Sequence, residues 1–240
     1  MKSVLQNMRA ALKKSKLGHA HRFLRYKHRT EADSVKFVQS LDLKGSSVLD
    51  IGANRGIYCY FLSRSVGKDG SVTAFEPQPE CIDTIKDVMR MFKLRNIDLR
   101  NCGLSDNAAT TTLHRGKPEH GSASLNFSAK QHRIGEEIET SVVTLDSIAD
   151  TIPRPIRFIK CDIEGHEIPM LKGGRKTLTE DQPIILVEIY EKEVDEASRV
   201  LAEYGYAGFF RIGTQEYPID QHHKHVDARS RHRNYIFRAK

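Results

Sequence analysis

Short apolar runs alternate along the chain with stretches whose apolar residues recur at helical spacing, and this alternation predicts strands and helices in turn. The first half of the chain is predicted to contain a helix over 31–43, a strand at Ser47–Ile51, a helix over 57–66, a strand at Ser71–Phe75, a helix over 79–93 and a strand at Ile97–Cys102. Strands separated by single helices in this way are typical of a parallel, doubly wound sheet.

Residues 107–145 interrupt this rhythm with short alternating segments and glycine-containing turns. We expect them to form a β-rich insertion, or strands appended at the edge of the sheet. The rhythm then returns, with a strand at Ile156–Cys161, a helix over 166–179, a strand at Pro183–Ile189, a helix over 193–204 and closing strands at Tyr206–Ile212 and Asn234–Arg238. The expected fold class is α/β and Rossmann-like: a mostly parallel, doubly wound sheet with antiparallel closing strands and a small β insertion.

Charge is unevenly distributed and divides the chain into three segments. Residues 1–30 contain nine Lys and Arg and no acid, and residues 222–240 carry a net charge of +5. Because the whole chain carries +7, the body over 31–221 carries −7. We therefore predict a basic, partly helical N-terminal extension, one acidic main domain, and a basic C-terminal segment that holds the final strand. Polybasic ends can contact anionic membranes, nucleic acid or protein partners without defining the chemistry of the domain.

The chain has neither an apolar run long enough to cross a bilayer nor the continuous apolar stretch of a secretory signal. Its four cysteines are widely separated and form no CxxC pair, which is typical of reduced, mostly buried thiols. They are Cys59, Cys81, Cys102 and Cys161. These features predict a cytoplasmic protein, with peripheral contact to an anionic membrane through residues 1–30 as an alternative.

A glycine loop follows the first predicted strand and opens the next helix. It has the spacing G-x-x-x-G behind an acid, whereas dinucleotide sites use G-x-G-x-x-G. An acid is a poor neighbour for a pyrophosphate but suits a ligand that carries an ammonium and a sulfonium, as S-adenosylmethionine does. The candidate cofactor-binding residues of this loop are Asp50, Gly52, Ala53, Asn54 and Gly56.

An acid at the end of the second strand provides an independent test of this interpretation. Glu76 follows the strand Ser71–Phe75, at the position where a carboxylate can accept hydrogen bonds from both hydroxyls of a ribose. Pro77 then fixes the direction in which the chain leaves the strand. Together, the loop and the acid predict a nucleoside-binding site, with Glu76 and Pro77 as further cofactor-binding candidates.

Five motifs are similar to those of the FkbM family of methyltransferases, over about residues 45–190. The motifs are VLDIGANRGIY at 48–58, AFEPQP at 74–79, NCGLSD at 101–106, VVTLDSI at 142–148 and FIKCDIEGHE at 158–167. The resemblance implies a class I methyltransferase fold, S-adenosylmethionine as the methyl donor, and O-methylation of a hydroxyl on a saccharide or natural product. It also implies that Gly103 and Leu104 lie near the adenine.

The last of these motifs places several acids at the carboxyl end of a predicted central strand. Ligand crevices in open α/β sheets lie outside the carboxyl ends of the strands, so these groups should face cofactor and acceptor. Packing acids together raises at least one pKa by repulsion, which helps a base work near neutral pH. The candidate bases are Asp162 (also a cofactor-binding candidate), Glu164, His166 and Glu188. Glu167 is expected to be structural, stabilising the first turn of a helix.

Other interpretations stay open. Asp162, Glu164 and Glu188 would be hard oxygen ligands for Mg²⁺ or Mn²⁺, but their spacing does not demand a metal and none is predicted. The histidines at 222–225, with His232, are expected to form a solvated basic loop rather than a metal patch. Residues 115–135 have the small and polar composition of a substrate-facing loop.

The basic ends also leave room for other partners. One alternative is a methyltransferase acting on RNA or protein recruited by these ends, although no aromatic-plus-basic stacking pattern favours nucleic acid. Another is a non-enzymatic role in which residues 1–30 dock the domain on an anionic membrane or partner complex. A homo-oligomer is compatible with the sequence, and a nicotinamide dehydrogenase is disfavoured by the missing G-x-G-x-x-G.

Overall fold

A computed structural model describes residues 15–115, 123–125, 135–225 and 234–240. The helices are α1 (Lys16–Arg25), α2 (Ala32–Ser40), α3 (Ile57–Val66), α4 (Pro79–Phe92), α5 (Leu145–Ile148), α6 (Glu167–Gly173), α7 (Arg175–Asp181), α8 (Val194–Glu203) and α9 (His222–His225). The strands are β1 (Ser47–Ile51), β2 (Ser71–Phe75), β3 (Ile97–Arg100), β4 (Gly103–Leu104), β5 (Ala109–Arg115), β6 (Ala123–Ser124), β7 (Glu136–Val143), β8 (Ile156–Cys161), β9 (Ile184–Glu188), β10 (Tyr206–Ile212), β11 (Gln215–Pro218) and β12 (Asn234–Ala239).

The main sheet has eight strands in the order β11-β10-β12-β9-β8-β1-β2-β3. The five strands from β9 to β3 are mutually parallel. β12 inserts antiparallel between β9 and β10, and β11 pairs antiparallel with β10 at the edge. This is the doubly wound sheet with antiparallel closing strands that the sequence predicts. The strand order reverses at β1, so the ends of β1, β2 and β8 border one crevice.

The β insertion forms a sheet of its own rather than an extension of the main one. Its strands have the order β4-β7-β5-β6, and β5 pairs with β7 over seven residue pairs. The short strand β4 follows β3 directly and pairs in parallel with β7. The small sheet is thereby held beside the end of β3. Most of the loop predicted to face the substrate, namely residues 116–122 and 126–134, lies outside the described residues.

Three local predictions were wrong. The single helix expected over 166–179 is two helices, α6 and α7, that meet at Gly174. At the end of α6, a Cβ on Gly173 would lie 2.0 Å from the backbone oxygen of Ser105, so this turn packs tightly against a neighbouring loop. β11 was not predicted, because a mostly polar edge strand has little apolar pattern. The expected solvated histidine loop is α9, in which His222 is buried and its Nε2 lies 3.0 Å from the hydroxyl of Tyr235. His232 lies outside the described residues.

Apolar side chains cover both faces of the main sheet. One cluster packs α6, α7 and α8 on the sheet, and the other packs α2, α3 and α4 on the opposite face. Phe23 of α1 joins the second cluster: it is buried, and its ring stacks on Tyr60 at a centroid distance of 4.2 Å. The part of the basic N-terminal segment that the structure describes, residues 15–30, is therefore helical and packed on the domain. The apolar positions predicted before it, including Leu5 and Met8, lie outside the described residues.

The cysteines agree with a further expectation. All four thiols are free; Cys59, Cys81 and Cys161 are buried, and Cys102 is partly exposed. Among the described helices, none combines the length and the apolar character that a membrane span requires.

Candidate active site

The glycine loop between β1 and α3 packs closely against the backbone of Phe75 and of Asp162. Gly52, Asn54 and Gly56 all have left-handed backbones, with φ of +81°, +50° and +75°. The N–H groups of Gly52 and Ala53 both donate to the backbone oxygen of Phe75 at 3.0 Å. A Cβ at Gly52 would lie 2.0 Å from the backbone oxygen of Asp162, so only glycine fits here. The loop is thus held against the carboxyl ends of both β2 and β8.

Glu76 is the buried acid that follows β2, and its carboxylate is tied to the glycine loop. Asn54 N donates to Glu76 Oε2 at 2.7 Å, and Gln78 N donates to Oε1 at 2.9 Å. The side-chain amide of Asn101 donates to the backbone oxygens of Glu76 and Pro77, which fixes the chain as it leaves the strand. Burial raises the pKa of Glu76 to about 7, against the opposing effect of these hydrogen bonds.

Asp50 is the second buried acid of the loop. It lies opposite Lys160 in the register of β1 and β8, and its side chain is almost completely buried. Burial raises the pKa of Asp50 to about 6, although Cys59 and Lys160 oppose that shift. Within the part of the chain that the structure describes, no donor lies within hydrogen-bond distance of Asp50 Oδ2. A buried carboxylate oxygen without a donor is costly, which makes Asp50 a candidate to bind a ligand's donor group.

A crevice of about 580 Å³ opens beside Glu76. It is lined by residues from the ends of β1, β2 and β8 and from the small sheet: Ile51, Gly52, Asn54, Phe75, Glu76, Pro77, Gln78, Gly103, Leu104, Leu113, Ala123, Leu125, Asp162, Ile163 and Glu164. We call this the Glu76 crevice. It brings together seven of the ten predicted cofactor-binding residues, and its wall at Leu104, Leu113 and Leu125 is apolar.

A second crevice, of about 690 Å³, opens on the other side of the glycine loop. We call it the Asp50 crevice, and it is lined by Arg22, Arg25, Tyr26, Glu31, Asp50, Gly52, Ala53, Asn54, Arg55, Ile57, Tyr58, Lys160 and Asp162. Gly52, Asn54 and Asp162 line both crevices, so the two meet at these residues. Gly56 lines neither; it begins α3 and packs on Ile85.

Lys160 provides a buried positive charge at the floor of the Asp50 crevice. Its Nζ lies 3.9 Å from Asp162 Oδ2 and donates to the backbone oxygen of Cys161 at 3.3 Å. Tyr58, whose ring centroid is 5.1 Å from this Nζ, donates its hydroxyl hydrogen to Glu31. Desolvation lowers the pKa of Lys160, but attraction to the surrounding carboxylates outweighs it and the net pKa is raised. Lys160 is therefore charged at neutral pH.

The four candidate bases lie in different surroundings. Asp162 lines both crevices where they meet. Glu164 lines only the Glu76 crevice, and its Oε2 accepts a 3.1 Å hydrogen bond from Tyr190. His166 and Glu188 line neither crevice. The Nε2 of His166 instead lies 2.9 Å from the hydroxyl of Ser105.

Two acids near Asp162 have raised pKa values. Burial, and then repulsion from Asp162, raises the pKa of Glu188 to about 8. Burial raises the pKa of Glu167 to about 7. Glu167 accepts backbone hydrogen bonds from Ile163 and Gly165, so it shapes the loop after β8, as expected of a structural residue.

Sequence analysis missed the contribution of the N-terminal segment to this site. Arg22, Arg25 and Tyr26 line the Asp50 crevice, although the pattern of basic residues suggested a separate arm. The available signal was Phe23, a large apolar residue beside Arg22 that marks one face of α1 as buried. As for metals, in the described ranges no three His, Cys, Asp or Glu side chains are arranged to hold an ion.

Comparisons with known proteins identify a family. The model of the methyltransferase FkbM domain matches residues 50–237. The hexuronic acid methyltransferase AglP of Haloferax volcanii is 25% identical over 166 residues, which make up 68% of this chain and 63% of that protein. The chain thus spans less than two thirds of the length of this relative.

Two solved structures share the fold. The FkbM methyltransferase of Methylobacillus flagellatus superposes with a TM-score of 0.56 at 20% identity, covering 83% of this chain and 45% of that one. A Streptococcus mutans protein solved in complex with SAH superposes with a TM-score of 0.51 at 13% identity, covering 85% of this chain and 93% of that one. At these identities the likeness concerns the fold alone.

Proposed function

The chain belongs to the FkbM methyltransferase family, and from this premise we propose that it transfers the methyl group of S-adenosylmethionine to a hydroxyl of a saccharide or natural-product-like small molecule. The observation that carries the proposal is the pair of crevices meeting at Gly52, Asn54 and Asp162. A ligand spanning both would meet one buried carboxylate at each end. The hexuronic acid methyltransferase among the relatives supports a saccharide as the acceptor.

The residues present fit S-adenosylmethionine. In the Glu76 crevice, Glu76 would accept hydrogen bonds from the ribose hydroxyls, and the apolar wall at Leu104 would contact the adenine. In the Asp50 crevice, the unpartnered Oδ2 of Asp50 would receive the ammonium of the amino-acid end. Between these two ends, Gly52 lets the glycine loop lie directly against the backbone of Asp162. When bound, the cofactor supplies an electrophilic methyl group on a sulfonium.

Asp162 is the proposed general base because it lies where the two crevices meet. An acceptor hydroxyl that donates to Asp162 would present its oxygen to the methyl group. With the cofactor supplying the methyl group, the Asp162 carboxylate would accept the proton that the acceptor hydroxyl loses. The other candidates suit this role less: Tyr190 holds Glu164 in the Glu76 crevice, and His166 lines neither crevice.

Lys160 and Glu188 lie beside Asp162. Burial, and then repulsion from Asp162, raises the pKa of Glu188. The ammonium of Lys160 lies 3.9 Å from Asp162 Oδ2 and would attract this carboxylate. These two residues are positioning groups, since their effect on the acceptor acts through Asp162.

Transfer of a tritium-labelled methyl group from S-adenosylmethionine to a panel of saccharides, with and without carboxylates, tests this proposal. Asp162→Asn should lower kcat by about 100-fold or more, the usual contribution of a general base. Its affinity for S-adenosylhomocysteine should stay within about twofold, because the amide keeps the shape of the side chain. Glu203→Gln, an exposed acid on α8, is the matched control and should leave both values unchanged. Full activity of Asp162→Asn would remove Asp162 from the role of base, and binding of the cofactor without transfer to any saccharide would exclude the acceptor class.

A further inference from the structure

Arg22 on α1 lines the Asp50 crevice with an unsatisfied charge. Its Nη1 is buried, and within the described residues it has no hydrogen-bond partner. Burial lowers the pKa of Arg22, and the neighbouring Arg55 adds to that shift. A partly buried guanidinium beside another cation is stabilised when an anion binds it.

Asp50 lines the same crevice as Arg22 and is an acid rather than a base. Its Oδ2 is buried and unpartnered in the described part of the chain, and Arg22 and Asp50 form no ion pair with each other. One crevice is thus lined by an acid and a base, each with one buried polar atom that has no hydrogen-bond partner among the described residues. The ligand complementary to such a surface carries an ammonium and a carboxylate close together, as an α-amino acid does.

The position of Arg22 is set by packing. The next residue, Phe23, is buried and stacks on Tyr60 of α3 at 4.2 Å, with Phe92 of α4 at 5.2 Å. At its start, α1 is capped by Ser15, whose hydroxyl accepts from Gly18 N at 3.1 Å. These contacts hold the helix, and with it the guanidinium, over the glycine loop.

We propose that Arg22 binds the α-carboxylate of the amino-acid end of S-adenosylmethionine, opposite the ammonium received by Asp50. This inference rests on the proposed function, because it concerns the same cofactor. It assigns α1 to the cofactor site, although α1 precedes the segment matched by the family model. The basic character of this helix then serves ligand binding in addition to any contact outside the domain.

Calorimetry with three ligands separates this role from others. S-adenosylhomocysteine has both charges, decarboxylated S-adenosylmethionine lacks the carboxylate, and 5′-methylthioadenosine lacks the whole amino-acid end. Arg22→Gln should raise the Kd of S-adenosylhomocysteine by about 10- to 100-fold, the loss expected for a charge-assisted hydrogen bond. The Kd values of the other two ligands should stay within about twofold, which also shows that the variant is folded. Arg22→Lys should recover part of the affinity, and Lys16→Gln, an exposed position on the same helix, should change none of the three.

Three results would overturn the inference. Equal weakening of all three ligands would show that Arg22 only supports the fold of the site. Unchanged binding of S-adenosylhomocysteine with a raised KM for glucuronate in the transfer assay would assign Arg22 to an anionic acceptor instead. If the parent protein binds none of the three ligands, the proposed function itself fails, and that outcome is distinct from a failure confined to Arg22→Gln.

Discussion

Asn54 N donates a 2.7 Å hydrogen bond to Glu76 Oε2 and so joins the glycine loop after β1 to the acid after β2. Asn54 adopts a left-handed backbone, with φ of +50°, and Gln78 N holds the other carboxylate oxygen at 2.9 Å. Two motifs 22 residues apart in the sequence are therefore one unit in the structure. This unit fixes a buried carboxylate in the lining of the Glu76 crevice, as the proposed cofactor site requires.

Gly52→Ala should destabilise the protein more than Gly67→Ala does. Both positions have a positive φ that residues with a Cβ rarely adopt, but a Cβ at Gly52 would meet the backbone of Asp162 at 2.0 Å, whereas nothing lies within 4 Å of one at Gly67. Such a backbone conformation alone costs about 1–3 kcal/mol for a residue with a Cβ. We expect about that loss for Gly67→Ala and a loss at least about 2 kcal/mol larger for Gly52→Ala, measured by urea unfolding. Similar losses for the two variants would contradict the close approach of β1 and β8.

The sequence predicts the elements whose pattern is local. The central strands β1, β2, β8 and β9 are predicted because burial on both faces gives short apolar runs. The helices α3 and α4 are predicted because burial of one face leaves a helical period in the residues. β11 has no such period, since an edge strand of four residues buries little. The break between α6 and α7 depends on a contact of Gly173 with a distant loop, which no local pattern contains.

The candidate site likewise contains some residues that the sequence places correctly and others that it cannot place. Gly52, Glu76 and Asp162 follow predicted strands, so topology alone places them at one edge of the sheet. The position of Arg22 depends on how α1 packs across α3 and α4, and that is a long-range property. The sequence also cannot show that Asp162 lines both crevices whereas His166 lines neither, because this depends on how the loop after β8 folds.

Binding of S-adenosylhomocysteine should weaken as the pH falls below neutral. Burial raises the pKa of Asp50 to about 6 and that of Glu76 to about 7, so both carboxyls take up protons as the pH falls through these values. The ammonium and the ribose hydroxyls of the ligand bind the ionised forms, so binding must then release protons. Calorimetry between about pH 5.5 and 8, a range that brackets both pKa values, should show a Kd that decreases with rising pH. The slope should be smaller in Asp50→Asn, and a Kd independent of pH in the parent would contradict the assignment.

In the ligand-free protein, the contribution of Asp50 to the free energy of unfolding should decrease as the pH rises. Because the folded-state pKa lies above the unfolded value of 3.8, the folded state retains the proton between these values. The stabilisation is fully present below about pH 4 and is lost as the pH rises through about 6. It amounts to about 3 kcal/mol for a shift of about two pKa units. We expect the free energy of unfolding to fall less between pH 4 and 8 in Asp50→Asn than in the parent, and equal slopes in urea titrations would refute the burial argument.

Lys160→Met should cost far more stability than Lys172→Met. Lys160 is fully buried and interacts with Asp162, Glu31 and Glu188, so its removal leaves these partly buried carboxyls without a counter-charge. Breaking such an arrangement costs about 3–5 kcal/mol. The exposed pair of Lys172 with Glu196 contributes at most about 1 kcal/mol. Urea unfolding of the two variants at pH 7.5 makes the comparison, and equal losses would show that Lys160 does not hold the acids of the site.

The central claim is that Glu76, the acid after β2, binds the ribose of the cofactor. The most direct test is calorimetric titration of S-adenosylhomocysteine into the parent protein and into Glu76→Ala. The parent should bind one equivalent, and Glu76→Ala should bind at least about 10-fold more weakly, since two charge-assisted hydrogen bonds to the ribose are lost. Glu203→Ala, an exposed acid, should bind like the parent. If Glu76→Ala remains folded and binds as tightly as the parent, the account is contradicted.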